Sequence, residues 1–93
     1  MHYMKSKKYK NGQLVKEEKD GILTYFFEDG EIKAQGPFEN NMMEGEWKFY
    51  KKGIGLWQVG NFKNNQKHGR IVRYNEKGEV EYDETFEEGK LVK

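Results

Sequence analysis

The sequence predicts an all-β fold, an antiparallel meander of tandem β-hairpins that forms one elongated, twisted sheet of about eight or nine strands. The first observation is a 24-residue repeat, which the glycines Gly21, Gly45 and Gly69 mark. The second is that glycine recurs too often along the chain for a long helix. The third is that hydrophobic residues keep fixed distances from these glycines. They are an aromatic ring (Phe26, Tyr50, Tyr74), an aliphatic residue (Ile32, Leu56, Val80) and a phenylalanine (Phe38, Phe62, Phe86).

Residues 1–93 are expected to form a single repeat domain that is thin and has no deep core. Only 34% of the residues are hydrophobic and 35% are charged, a ratio close to that of disordered chains. The aromatic residues, 15% of the chain, are nevertheless spaced periodically, which a disordered segment does not require. We therefore expect stability to come from backbone ladders and from contacts between neighbouring repeats. The chain has no cysteine, which excludes disulfides and thiolate metal sites.

The first unit, residues 7–19, is predicted to be a partial capping repeat. Its segment Asn11–Leu14 (NGQL) matches Asp29–Ile32 (DGEI) in the next unit. Gly12 lies only 18 residues before Gly30, so this unit is six residues shorter than the others. A shortened terminal repeat is typical of a cap.

The second unit, residues 20–43, is the first complete repeat. Its strands are expected at Leu23–Phe27 and Ile32–Phe38, with turns between and after them that contain glycine or asparagine. These residue types favour turns because they tolerate positive φ. Pro37 has no N–H to donate to a ladder, so we expect it at a sheet edge or a bulge.

The third and fourth units, residues 44–67 and 68–91, repeat this plan. In the third unit, a strand that contains Trp47 and Phe49 precedes a glycine-containing turn and a second strand over residues 56–63. Side chains alternate along a strand, so Trp47 and Phe49 share one side of the sheet. We interpret both as ladder residues of the repeat.

Two segments of the third unit, Glu44–Tyr50 (EGEWKFY) and Gly60–Gly69 (GNFKNNQKHG), carry a family resemblance. Together they resemble the bacterial variant of the MORN repeat (membrane occupation and recognition nexus), in which G-x-W-x-x-Y is followed after a turn by G-x-F/Y-K-N-G. The resemblance covers residues 20–91 as three units, with the partial unit before them. The chain departs from the pattern at Glu84, which replaces a glycine, and at Ile22–Leu23, which replace the tryptophan context.

The resemblance implies tandem β-hairpins in an extended sheet and no enzymatic activity. Eukaryotic members of the family resemble scaffolds that hold protein partners, sometimes near membranes, and bacterial members are often classed as antitoxins. The expected function is therefore a non-catalytic protein-interaction or scaffold module. An antitoxin component of a toxin–antitoxin pair is an alternative that rests on the resemblance alone.

The sequence offers no catalytic arrangement, so we predict that the chain is not an enzyme and holds no metal or cofactor. Its only serine is Ser6, and its only histidines are His2 and His68. Nucleophilic catalysis needs a base and an orienting group beside the nucleophile, and no motif supplies them. His68 takes the repeat position of Asp20 and Glu44, which favours its interpretation as a solvated turn residue.

Charge also follows the repeat. Residues 20–46 and 76–88 are net acidic, whereas residues 47–75 contain seven Lys or Arg and no Asp or Glu. One interpretation is that adjacent repeats carry complementary charges that help to select the strand register. The other is that the basic middle repeat is a binding surface for a protein or for anionic lipid. Nucleic acid is a less favoured ligand, because the aromatic residues there are interpreted as structural.

The candidate interaction surface combines aromatic and basic residues of the middle of the chain. Trp57 stands out because its repeat position otherwise holds Lys33 and Glu81, so an exposed tryptophan is expected there. The expected partner is an unidentified protein, with anionic lipid or self-association through sheet edges as alternatives. The predicted surface comprises Trp47, Phe49, Trp57, Lys48, Lys51, Lys52, Lys63, Arg70 and Arg73.

No segment of the sequence predicts a membrane anchor. No apolar run approaches the roughly 20 residues that span a bilayer. The basic start at residues 1–10 is not followed by the apolar stretch of a signal peptide. A cytoplasmic location is therefore the default expectation, and prior removal of a signal peptide stays open.

Overall fold

The computed structural model describes residues 7–92, and residues 1–6, which include His2 and Ser6, and Lys93 lie outside the described part. Residues 7–92 contain nine β-strands and no helix, which confirms the predicted all-β class. The strands are β1 (Lys16–Lys19), β2 (Ile22–Phe26), β3 (Ile32–Glu39), β4 (Met42–Met43), β5 (Gly45–Lys51), β6 (Gly55–Lys63), β7 (Gln66–Tyr74), β8 (Val80–Glu87) and β9 (Lys90–Leu91).

The strands form one open antiparallel sheet in the order β1-β2-β3-β5-β6-β7-β8-β9, and β4 pairs with the end of β3. Strands that are neighbours in sequence are neighbours in the sheet, which confirms the predicted meander of hairpins. The molecule measures 47 Å along its longest dimension and 18 Å along its shortest. No second layer of secondary structure covers either face within the described residues.

The two-residue turns at one end of the sheet depend on positive φ. Asp20–Gly21, Asn40–Asn41, Asn64–Asn65 and Glu88–Gly89 have positive φ at both positions, as type I′ hairpin turns require. Asparagine and glycine adopt this region at little cost. Glu88, with φ 48°, adopts it against the preference of its side chain.

The longer turns at the other end share a hydrogen-bond pattern. In residues 9–13, 27–31 and 75–79, the N–H of the first residue donates to the carbonyl of the last, at N···O distances of 2.8, 2.7 and 2.8 Å. The partial first unit therefore contains the same turn as two of the complete repeats. The turn of the middle repeat differs, because there the N–H of Ile54 donates to the carbonyl of Lys51 (3.1 Å).

A β-bulge recurs at the same position in each complete repeat. The pairing of β2 with β3 skips Lys33, and the pairings of β5 with β6 and of β7 with β8 skip Trp57 and Glu81 in the same way. A bulge leaves one residue unpaired and redirects its side chain. The repeat position that holds Lys33, Trp57 and Glu81 therefore lies outside the regular alternation of side chains along the strand.

Each complete repeat buries one large apolar side chain on the same face of the sheet, and Val72 is buried on the opposite face. Leu23, Trp47 and Ile71 are 3%, 1% and 0% exposed. Trp47 pairs with Gly60 of β6, and an added Cβ at Gly36 of β3 would overlap its indole ring. This face, called the aromatic face below, also carries the half-buried rings of Tyr25, Phe38, Phe49, Trp57, Phe62, Tyr82 and Phe86.

The departure of Glu84 from the glycine pattern has a packing explanation. Gly36 must leave room for Trp47, and a Cβ at Gly60 would come 3.0 Å from Cδ1 of Ile71. Glu84 occupies the equivalent position opposite Ile71. No described strand beyond β8 brings a large apolar side chain over Glu84, so a side chain is tolerated there.

Pro37 lies where the pairing along one side of β3 is interrupted. On that side β3 pairs with β5 at Ala34 and Gln35 and with β4 at Phe38 and Glu39. The missing N–H of Pro37 therefore falls between two ladders. Pro37 pairs with Ile22 on the other side of β3, so it lies neither on an edge strand nor at a bulge as predicted. The gap between the two ladders is what accommodates it.

Substitution of Gly36 by alanine should destabilise the fold by about 2 kcal/mol or more, because the added methyl group would displace the indole of Trp47. Chemical denaturation of the purified chain measures this change. The matched control is Glu84→Ala at the equivalent repeat position, which should stay within about 0.5 kcal/mol. Equal stabilities of the two variants would contradict the packing explanation.

Substitution of Glu88 by asparagine should stabilise the chain by ~1 kcal/mol, because asparagine adopts positive φ more readily than glutamate. Glu76→Asn makes the same charge change at a turn residue without positive φ and serves as the control. Thermal unfolding of both variants tests the prediction. A gain shared by both would point to charge rather than to backbone conformation.

Candidate functional site

The structure divides the nine predicted surface residues between the two faces of the sheet. Lys48, Lys63 and Arg70 lie on the face opposite the aromatic face. Lys52 lies in the turn that follows β5. The residues on the aromatic face are Trp47, Phe49, Lys51, Trp57 and Arg73. The predicted set is therefore not one continuous surface.

Trp47 belongs to the core and offers no accessible surface. It is 1% exposed, and its Nε1 donates to the carbonyl of Pro37 at 2.8 Å. Phe49 packs beside it, with ring centroids 6.2 Å apart. Phe49 is also 6.2 Å from Phe62 and 6.5 Å from Trp57, so it joins the core to the more exposed rings of the aromatic face.

Trp57 is the centre of a group that we call the cation–aromatic cluster, formed by Lys51, Trp57, Gln58, Arg73 and Tyr82. Lys51 Nζ lies 4.9 Å from the indole centroid, and the guanidinium carbon of Arg73 lies 5.8 Å from it. These distances are typical of cation–π interactions. The indole therefore lies close to two cations, and it is half-buried rather than exposed as predicted.

The guanidinium of Arg73 is held in place from two directions. Its Nε donates to Oε1 of Gln58 at 2.7 Å, and Gln58 is only 8% exposed. Its guanidinium carbon lies 4.9 Å from the ring centroid of Tyr82 on β8. Since the partner amide is buried, the orientation of the guanidinium is fixed by the sheet rather than by solvent.

The sequence did not identify Gln58 or Tyr82 as members of the site. Both join it through cross-strand pairing, because Gln58 and Tyr82 each face Arg73 from a neighbouring strand. One signal in the sequence was available. Arg73 takes the repeat position of Tyr25 and Phe49, so a cation stands where the other repeats have a ring.

On the opposite face, Arg70 forms a paired interaction with Asp83. Nη2 of Arg70 lies 2.6 Å from Oδ2 and Nε lies 3.1 Å from Oδ1 of the carboxylate. These hydrogen bonds, and then the charge of Arg70, hold the pKa of Asp83 below its ordinary value of 3.8. The same contacts raise the pKa of Arg70. Both side chains are largely exposed, so the pair contributes little to stability.

One ion pair connects adjacent repeats. Lys52 Nζ lies 3.4 Å from Oδ2 of Asp29. The pKa of Asp29 is lowered mainly because its Oδ1 accepts a hydrogen bond from the backbone N–H of Glu31 (2.9 Å), with a further contribution from Lys52. This contact is of the kind expected for repeats with complementary charges. Glu28 occupies the repeat position equivalent to Lys52, but the partner of Lys52 is the next residue, Asp29.

His68 connects two neighbouring turns. Its Nδ1 accepts a hydrogen bond from the backbone N–H of Glu88 at 3.3 Å. Glu44, at the equivalent position, accepts one from the N–H of Asn64 at 3.1 Å. The side chain at this repeat position therefore bonds the turn of the following hairpin. The interpretation of His68 as a solvated turn residue is wrong, because His68 is half-buried within β7.

Comparisons with protein-family models, with curated proteins and with solved structures find no match to this chain. Among residues 7–92, no helix has the length and apolar character needed to cross a membrane. The site is therefore interpreted from its own geometry.

The carboxylate of Asp83 should titrate below pH 3.8 in the folded chain, and Arg70→Gln should raise its pKa, since the hydrogen bonds that lower it are lost. A carboxylate with a lowered folded pKa stabilises the fold above its unfolded pKa, and this contribution disappears as the pH falls through the folded pKa. A ¹³C NMR titration of the carboxyl group measures the change. Arg73→Gln is the control, because Arg73 lies on the other face; an equal effect of both variants would contradict the pairing.

Proposed function

We propose that this chain is a non-catalytic protein-interaction module of MORN-like repeats that binds a protein partner on its aromatic face. The observation that carries this proposal is that the rings of this face have no second layer over them within the described residues. Exposed apolar surface of this kind typically marks an interaction site.

The composition of the accessible part of the face supports a protein partner. Trp57, Arg73 and Tyr82 are contiguous and half-buried, and tryptophan, arginine and tyrosine are the residues most enriched at energetically important interface positions. They lie on paired strands of a sheet rather than on loops. A rigid support of this kind lowers the entropy cost of binding.

The arrangement gives less support to binding of an anionic membrane through the basic middle repeat. Such binding requires cations on one surface. Lys51 lies over Trp57 on the aromatic face, Lys52 is paired with Asp29, and Lys63 precedes the turn at the opposite end of the sheet. The three lysines therefore do not present their charges in one direction.

Self-association through the β1 edge also has less support. All four residues of β1 are exposed, and all four are charged (KEEK). Charged residues on an edge strand discourage pairing with another sheet. An antitoxin role continues to rest on the family resemblance alone.

Replacement of Trp57 by lysine should reduce recovery of the partner about tenfold, because a central interface tryptophan is lost. The fold should tolerate this change, since Lys33 occupies the equivalent bulge. The measurement is affinity purification from extracts of the native cell, with the unaltered chain or the variant as bait. The recovered proteins are then quantified.

Lys48→Gln is the matched control for this experiment, because Lys48 is exposed on the opposite face. It should leave recovery unchanged. Recovery that falls equally with both variants, or that Trp57→Lys does not change, would refute a binding surface on the aromatic face.

A further inference from the structure

We propose that the cation–aromatic cluster binds an acidic segment of the partner protein, whose carboxylates reach Arg73 and Lys51 while its apolar groups contact Trp57 and Tyr82. This inference rests on the proposed function and specifies the chemistry of the partner.

The first argument is that the two cations of the cluster have no acidic partner of their own. Over residues 7–92 the ion pairs are Lys52 with Asp29 and Arg70 with Asp83. Lys51 and Arg73 form none, although both are near aromatic rings. Positions 47–75 contain no acidic residue, and Glu46, the one acidic residue of β5, lies at the far end of that strand from Lys51 and on the opposite face.

Acidic residues do border the cluster on β8 but leave the cations unpaired. Glu81 precedes Tyr82 and Glu84 lies two residues after it, and neither forms an ion pair with Arg73. Lys51 lies over the indole of Trp57, and the guanidinium of Arg73 lies near both Trp57 and Tyr82. Both cations attract an acidic segment that binds over the indole.

The second argument is that Arg73 is oriented in advance for a carboxylate. Its hydrogen bond within the described part of the chain uses Nε, which leaves the terminal nitrogens of the guanidinium for a ligand. A planar guanidinium recognises a carboxylate through two parallel hydrogen bonds. Because Gln58 and Tyr82 already hold the group, little side-chain freedom is lost on binding.

The third argument is that the fold does not require these residues. The positions of Lys51, Trp57 and Arg73 are occupied in the other complete repeats by different residue types. One repeat earlier, the positions equivalent to Lys51, Trp57 and Arg73 hold Phe27, Lys33 and Phe49, and the backbone forms the same bulge at Lys33. The cluster is therefore specific to the junction of the second and third complete repeats, as expected of a site rather than of a structural ladder.

The geometry favours an acidic protein segment over an anionic membrane or a nucleic acid. Adsorption to lipid headgroups draws on several cations near one plane, and nucleic acids require a positive groove along several phosphates. The cluster offers two cations close to two rings. That combination fits a short segment with one or two carboxylates next to apolar side chains.

The test is selection of random peptides displayed on phage against the immobilised full chain, followed by fluorescence anisotropy with the selected peptides. We expect enrichment of Asp and Glu in the selected peptides. Lys51→Gln should weaken binding about fivefold and Arg73→Gln about tenfold, as for removal of charges at an interface centre.

The controls make the same charge changes on the opposite face. Lys48→Gln matches Lys51→Gln on the same strand, and Arg70→Gln matches Arg73→Gln on β7. Both should bind the peptides within about twofold of the unaltered chain. Thermal unfolding of each variant accompanies the titrations. Lys51 is exposed, and its side chain forms no hydrogen bond among the described residues, so Lys51→Gln keeps the test decisive if loss of Arg73 disturbs Gln58.

Other results would overturn the inference in distinguishable ways. One result is that the selected peptides lack acidic residues and bind the unaltered chain but not the Trp57→Lys variant. This result would refute an acidic partner but would agree with the proposed protein-binding function. A second result is that no peptide is selected but the chain binds phosphatidylserine–phosphatidylcholine vesicles or an oligothymidine, and Lys51→Gln abolishes that binding. This result would assign the cluster to another class of ligand. Failure of all three probes would overturn both this inference and the proposed function of the aromatic face.

Discussion

The close contact between the indole of Trp47 and Gly36 is the constraint on which the rest of the sheet depends. A single-layer sheet has no opposing layer, so a large side chain is buried only by its lateral neighbours on the same face. Gly36 leaves room for the indole to pack against the neighbouring strand, and Trp47 is 1% exposed. Gly60 leaves room for Ile71 in the same way. Glycine is not needed at the next equivalent position, Glu84, because no large side chain of a further strand packs there.

The bulge in each repeat places one residue outside the packing of the core, and at Trp57 this residue belongs to the proposed binding site. Regular alternation would place every second side chain of β6 in the lateral packing, whereas the bulge adds Trp57 outside that pairing. The backbone feature is the same in three repeats, but the side chains at it are Lys33, Trp57 and Glu81. The backbone of the repeat therefore fixes the direction in which the side chain at the bulge points, and the residue type at this position varies without disturbing the core. This arrangement is how a structurally regular array presents one distinctive site.

The two faces of the sheet use their charges differently. On the opposite face, Arg70 is bound to Asp83 by two hydrogen bonds, so its charge is compensated within the chain. On the aromatic face, Arg73 is held by a neutral amide and a ring, which fix its position without neutralising it. Two arginines three residues apart on one strand thus have opposite consequences, because side chains alternate along a strand and the two arginines therefore have different neighbours. The uncompensated charge of Arg73 is the feature on which the proposed binding site is built.

The sequence by itself determined the all-β class and the succession of hairpins, because strand alternation and turn preferences are local properties that a 24-residue period repeats. It also marked Trp57 through the unusual residue type at its repeat position. The burial of Trp47, which was predicted to lie on the interaction surface, was decided only by the tertiary structure, as was the inclusion of Gln58 and Tyr82 in the site. These depend on cross-strand register and on a bulge that shifts it, and both are set by contacts between strands that local sequence patterns do not encode.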